Sequence, residues 1–151
     1  IFASLAIVIG LATYFNSVLV MRFGMKNLVN LALISFVAIS FLYVVLYWSG
    51  QNPSIEILLL FLSLQFASVA FLFGNLRALA MEPMGHIAGI GSALNGFIST
   101  VMAVPIANYI GSFVKDSVTP LFIGFLVCGL LSMVLFYSNI AKFKAIFIKN
   151  S

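Results

Sequence analysis

The chain has 151 residues, 64% of them hydrophobic and 7% charged, with a formal net charge of +4. Soluble domains carry about 25% charged residues, so this composition excludes a water-soluble globular surface. The basic excess does not indicate nucleic acid, because there is no long basic run and no nucleic-acid motif.

Five almost uncharged stretches predict five transmembrane helices, since a hydrocarbon core of about 30 Å needs about 20 apolar residues per helix. The expected fold class is an all-α membrane protein. Span A covers about residues 1–20 and runs into Met21-Arg22-Phe23-Gly24-Met25-Lys26. It has no basic lead of the kind a signal peptide needs, and a start at Ile1 reads as part of a longer chain. Span B covers about 28–48 and ends at Tyr47 and Trp48, aromatics suited to an interface. Ser49-Gly50-Gln51-Asn52-Pro53 is a turn, with Pro53 suited to the first turn of the next helix. Span C covers about 55–79 and is broken by Glu82-Pro83-Met84-Gly85. Span D covers about 88–110, with a kink expected at Pro105. After a polar loop, Thr119-Pro120 reads as an N-cap and first-turn proline for span E, about 120–138. The remainder, 140–151, carries Lys142, Lys144 and Lys149 among apolar residues and reads as a cytoplasmic, interfacial amphipathic tail. No linker divides the chain, so residues 1–151 are expected to form one transmembrane unit, part of a bundle whose partner helices lie upstream.

Charge gives the expected orientation. Arg22, Lys26, Arg77, Lys142, Lys144 and Lys149 fall at one set of span ends, and Lys115 alone at the other. The positive-inside rule then places the A–B turn, the C–D turn and the C-terminus in the cytoplasm, with residue 1 outside.

Chemistry-bearing residues are sparse. Glu56, Glu82 and Asp116 all lie at span ends or in loops, so no carboxylate marks a proton path within this chain. No nucleophile–base set, metal-ligand spacing or phosphate loop is present, so an enzyme is not expected, nor any cofactor or metal. His86 reads as a loop hydrogen-bonder, and Cys128 has no cysteine to pair with. The polar residues within spans are Asn16 in A; Gln65, Ser68 and Asn75 on one face of C; and Ser92, Asn95 and Ser99 on one side of D, with Asn108 further along. In hydrocarbon such groups must bond to neighbouring helices or face a wet cavity. Gln65, Ser68, Asn75, Asn95 and Ser99 are therefore candidate substrate-cavity residues. Small residues recur at helical spacing: Ser63, Ala67, Ala70, Gly74 and Ala78 in C, then Gly85, Gly89 and Ala93 leading into D. Small faces let membrane helices approach closely, so Gly74, Gly85, Gly89 and Ala93 are expected at packing or rocking contacts.

The stretch Ala78-Leu79-Ala80-Met81-Glu82-Pro83-Met84-Gly85-His86-Ile87-Ala88-Gly89, followed by Gly91-Ser92-Ala93-Leu94, resembles a signature of the Bcr/CflA-type drug-efflux branch of the major facilitator superfamily. Arg22-Phe23-Gly24-Met25-Lys26 resembles the basic turn between that family's eighth and ninth helices, and Thr119-Pro120-Leu121 the outer turn before its last helix. The resemblance covers essentially the whole chain as helices eight to twelve. It implies alternating access and proton-driven export of small lipophilic molecules across a bacterial inner membrane, with the missing N-terminal helices as partners alongside the lipid bilayer. It places span C on the central cavity, A and D at the interface between halves, and B and E as outer supports. It gives the basic turn of Arg22, Gly24 and Lys26 a role in gating. The alternatives are a facilitator for one metabolite and a non-transporting membrane scaffold.

Overall fold

The computed structural model describes residues 2–149, with side chains for 3–139. The described chain is all-helical: α1 (Phe2–Phe23), α2 (Met25–Leu46), α3 (Ile55–Met81), a 3-10 turn (Glu82–Ile87), α4 (Ala88–Ser112) and α5 (Thr119–Lys149). Four helical segments are long and apolar enough to cross a membrane: Ala3–Phe23, Met25–Leu46, Ile55–Ser112 and Thr119–Asn139. These segments are consistent with a membrane-embedded protein.

The third of those segments holds two helices. Straight, its 58 residues would reach about 87 Å. The chain instead departs from helical geometry at Met84 (φ −106°, ψ 19°), just after Pro83. It folds back far enough for Arg77 to approach Gly96: Arg77 Nη2 lies 3.8 Å from where a Cβ on Gly96 would stand. The expected break at 82–85 is thus a 3-10 turn, not an open loop. Pro105 sits inside α4 without ending it; the backbone bond a proline removes is tolerable in membrane helices because local adjustments re-satisfy it.

Several helix ends differ from the sequence reading. Spans A, C and D run on to Phe23, Met81 and Ser112, and α5 continues to Lys149 without a break at 138. Hydropathy fades before the backbone hydrogen bonds do, so charged and small residues close a helix without ending it. At the start of α3 the cap is Ser54, and Pro53 stands outside it. The amphipathic character expected of Lys142, Lys144 and Lys149 falls on side chains outside the described residues. Between α1 and α2 one residue makes the whole reversal: Gly24 has φ 79° and ψ 152°, a region essentially restricted to glycine.

α2 is the centre of the bundle. It packs against α3 on one side and α5 on the other, while α1 packs on α3. The Tyr43 ring stacks on Phe122 of α5 at 3.7 Å between centroids and meets Phe61 of α3 edge-on at 5.1 Å. All three are buried, and Val44 completes the cluster. Glycine sets the closeness of the α2–α5 approach. A Cβ on Gly129 would stand 2.9 Å from both Phe36 Cδ1 and Val37 Cγ2. At the end opposite the Gly24 turn, the loops are latched together: Asn52 donates to the Asp116 carbonyl (2.6 Å) and accepts from the Val118 amide (3.0 Å). The Thr119 hydroxyl, expected to cap α5, donates instead to the Tyr47 carbonyl of α2 at 3.2 Å.

α4 is the least covered helix. Every residue from Phe97 to Tyr109 is exposed. It meets the bundle below this stretch, where Gly91 faces Met81 and Met84, and above it, where Ile110 crowds Gly124 of α5.

Candidate functional site

The polar residues of α3 lie in its helix seams. Gln65 is 1% exposed. Its Nε2 donates to Ser40 Oγ at 2.8 Å, and Ser40 in turn donates to the Phe36 carbonyl at 2.8 Å. Gln65 therefore cross-links α3 to α2 and is placed in their seam, not on an open wall. Its Oε1 and the Tyr43 hydroxyl oxygen are buried without a protein partner. Ser68 is also buried and donates to the Leu64 carbonyl one turn back. It borders a second groove of about 260 Å³ between α2 and α3, together with Ser35.

Asn75 ties α3 to α1. Its Nδ2 donates to Asn16 Oδ1 at 2.6 Å and to the Phe71 carbonyl at 2.8 Å, with both asparagines buried. Gly74 belongs to the same joint, since a Cβ there would stand 3.4 Å from Asn16 Nδ2. The Asn16–Asn75 pairing needs two helices brought side by side, and no spacing within either helix announces it.

On α4, Asn95 is half-buried and Ser99 exposed. Gly85, Gly89 and Ala93 are exposed too, and a Cβ on Gly85 or Gly89 would meet nothing within 4 Å. Within this chain the close glycine contacts are Gly91, Gly124 and Gly129. The last two lie in α5, where Gly124, Cys128 and Ser132 recur every four residues, a spacing that could have marked a close-packed face. Arg22 and Lys26 are exposed on either side of Gly24, and the Arg22 guanidinium lies 5.7 Å from the Phe23 ring centroid. His86 is exposed in the 3-10 turn, and no three His, Cys, Asp or Glu side chains gather into a metal site among the described residues.

The open side of α3 is a different set of residues. Phe66, Val69, Ala70, Phe73 and Gly74 line a groove of about 200 Å³ against Ile9 and Thr13 of α1. Phe66, Ala70, Phe73 and Arg77 are spaced i, i+4, i+7 and i+11, which puts them on one helical face. Gln65 and Ser68 point away from it, into α2. The groove is almost wholly apolar, and Thr13 spends its hydroxyl on the Ile9 carbonyl (2.8 Å). Such a surface accepts lipophilic matter by shape and burial and offers no group for covalent chemistry. Sequence reasoning missed it because it sought polar residues, whereas the open face is marked by aromatics and small residues at helical spacing.

A scan of known protein families and searches of curated proteins and of solved structures find no match for this chain.

Proposed function

We infer that the chain forms five membrane helices of a facilitator-type exporter, a proton-coupled multidrug antiporter of the Bcr/CflA kind working by alternating access in a bacterial inner membrane. One observation carries this reading. The helices that the sequence resemblance assigns as outer supports, α2 and α5, are packed together behind α3. The groove on α3 opens on the other side, against α1, and α4 is uncovered from Phe97 to Tyr109. That division suits half of a carrier whose midplane site lies between two helical bundles. In this reading α3 and α4 cross separately, five spans in all, the basic end is cytoplasmic, and further helices of the same transporter cover α4.

The test uses the full reading frame that contains this chain, in everted inner-membrane vesicles loaded through their own respiration. Ethidium should be driven into the vesicles against its gradient, and a protonophore should abolish the movement. Uptake unaffected by the protonophore would remove proton coupling, and no uptake of any of several lipophilic dyes would remove the exporter. Orientation is checked separately in a Cys128→Ala background. Ser117→Cys should label in intact cells and Asn150→Cys only after permeabilisation; the reverse pattern would overturn the topology.

A further inference from the structure

Arg77 is the one basic residue of α3, it lies on the open face, and its side chain runs back toward the middle of the helix. Its guanidinium carbon lies 5.5 Å from the centroid of Phe73, one turn nearer the middle of the helix. Its Nη2 is 3.8 Å from the Cβ position of Gly96 on α4. Two measures of depth agree. From the α3 end at Met81, four residues and one further turn amount to about 11 Å. From the α4 start at Ala88, eight residues to Gly96 amount to about 12 Å. With α3, about 40 Å long, standing upright and centred on a hydrocarbon layer of about 30 Å, the charge falls several ångström inside the apolar layer. Helical side chains lean toward the N-terminal turn, and the Phe73 ring holds this one there by cation–π attraction.

Among the described residues Arg77 forms no ion pair. Glu56 and Asp116 lie at the opposite end, and Glu82 is beyond the end of α3. Ionisable groups at membrane depth mark binding sites or ion paths, and a guanidinium is built to hold a carboxylate through paired N–H donors. Directly along the same helical face runs the apolar groove, which shares Phe73 as a wall. Ser92, Asn95 and Ser99 lie on the α4 face around Gly96, at spacings of three and four residues.

We propose that the α1–α3 groove and Arg77 together bind an amphipathic organic carboxylate, the carboxylate on Arg77 and an aromatic or short alkyl body in the groove. Apolar cavities of about 150 Å³ take up benzene, so a groove of about 200 Å³ holds a phenyl ring with a short tail. An anionic headgroup would meet Arg77 only by local thinning of the bilayer, whereas the groove that shares Phe73 offers an apolar body a place beside the charge, so the proposal commits to a free amphiphile. That the anion is cargo rests on the exporter reading; that it binds does not.

The test is equilibrium binding of radiolabelled 4-phenylbutyrate and 4-phenylbutylamine to the protein in nanodiscs of zwitterionic lipid. The carboxylate should bind and the amine should not. Arg77→Gln should weaken carboxylate binding at least tenfold, and Arg77→Lys should keep part of it. Ala70→Phe, which fills the groove and leaves the charge, should also abolish it. Equal binding of both probes, or carboxylate binding untouched by Arg77→Gln, overturns the site. So does carboxylate binding that survives Arg77→Gln only when anionic phospholipid is added. Vesicle transport separates the two readings. Arg77-dependent binding without energised transport of any compound leaves the site standing and removes the exporter; ethidium transport without carboxylate binding does the reverse.

Discussion

Gln65 Nε2 donates to Ser40 Oγ across 2.8 Å, inside the seam where α3 meets α2. One amide thereby joins two helices through a hydroxyl that is itself bonded to its own helix at Phe36. The arrangement leaves Gln65 Oε1 and the nearby tier's Tyr43 hydroxyl buried and unpartnered. Interhelical hydrogen bonds in membrane proteins average about 0.6 kcal/mol, whereas an unsatisfied buried polar group costs about 1–3 kcal/mol. The two effects oppose each other at Gln65. Gln65→Leu should therefore leave stability unchanged or raise it by up to about 2 kcal/mol, and it should leave any substrate profile unshifted. Tyr43→Phe loses no bond and should be neutral or stabilising. Reversible unfolding in bicelles measures both; a loss above about 2 kcal/mol for Tyr43→Phe would mean that its hydroxyl has a partner after all.

Glycine contacts divide the chain into a closed side and an open one. A Cβ on Gly129 would stand 2.9 Å from Phe36 and from Val37, while a Cβ on Gly89 would meet nothing within 4 Å. Forcing extra atoms into a packed core costs about 1–3 kcal/mol. Gly129→Ala should lower bundle stability by that amount, and Gly129→Leu should prevent α5 from docking. Gly89→Leu should leave this chain's own stability unchanged. If helices outside the chain cover α4, Gly89→Leu stalls transport while the five-helix bundle stays intact. Equal unfolding midpoints for Gly129→Ala and the parent would sink the close-approach argument.

The A–B turn is expected to fail by strain before it fails by charge. Gly24 reverses the chain alone at φ 79°, and a side chain held there costs about 1–3 kcal/mol. Gly24→Ala should lower stability by that much although nothing lies within 4 Å of the added carbon. Arg22→Gln with Lys26→Gln should leave bundle stability unchanged, since both side chains are exposed, and should act on membrane orientation instead. Mixed topology in cysteine labelling, at unaltered bundle stability, is the expected outcome. Unaltered topology with unaltered transport would make these two residues ordinary solvated charges.

How much of this was legible in the sequence follows from what hydropathy measures. The all-helical fold and the place of every reversal came through, because uncharged runs and the Gly24, Gly50 and Pro83 breaks are local properties. Which face of α3 is open did not. Gln65, Ser68 and Asn75 share a face, and polarity leaves both a wet cavity and a neighbouring helix open there; the structure spends those groups on α2, on α3 itself and on α1. The reason is physical: in an apolar medium a polar side chain is satisfied as well by a neighbouring helix as by water. Periodicity cannot tell the two apart, because the partner, Ser40 or Asn16, is far away in sequence. Arg77 was legible as a charge at a helix end, but the direction of its side chain depends on Phe73 and on the fold-back that brings Gly96 near. The close approach at Gly129 was invisible for the same reason, since its neighbours belong to α2.

The Asn16–Asn75 pair gives the sharpest quantitative test of the α1–α3 joint. The bond is 2.6 Å, both residues are buried, and Asn75 keeps a second bond to the Phe71 carbonyl whatever happens to Asn16. Substituting either residue by Ala breaks the same interhelical bond, so the two losses should not add. A double-mutant cycle in bicelles should give a coupling energy of about 0.6–1.7 kcal/mol, the range found for hydrogen bonds between membrane helices. Asn16→Ala should be the milder single change, because Asn75 Nδ2 still has Phe71 to donate to. Gly74→Ala should behave differently. Its added carbon comes within 3.4 Å of Asn16 Nδ2, close enough to disturb the amide, so Gly74→Ala should cost less in an Asn16→Ala background than in the parent. Strictly additive effects among Asn16, Gly74 and Asn75 would mean that α1 does not meet α3 at this point.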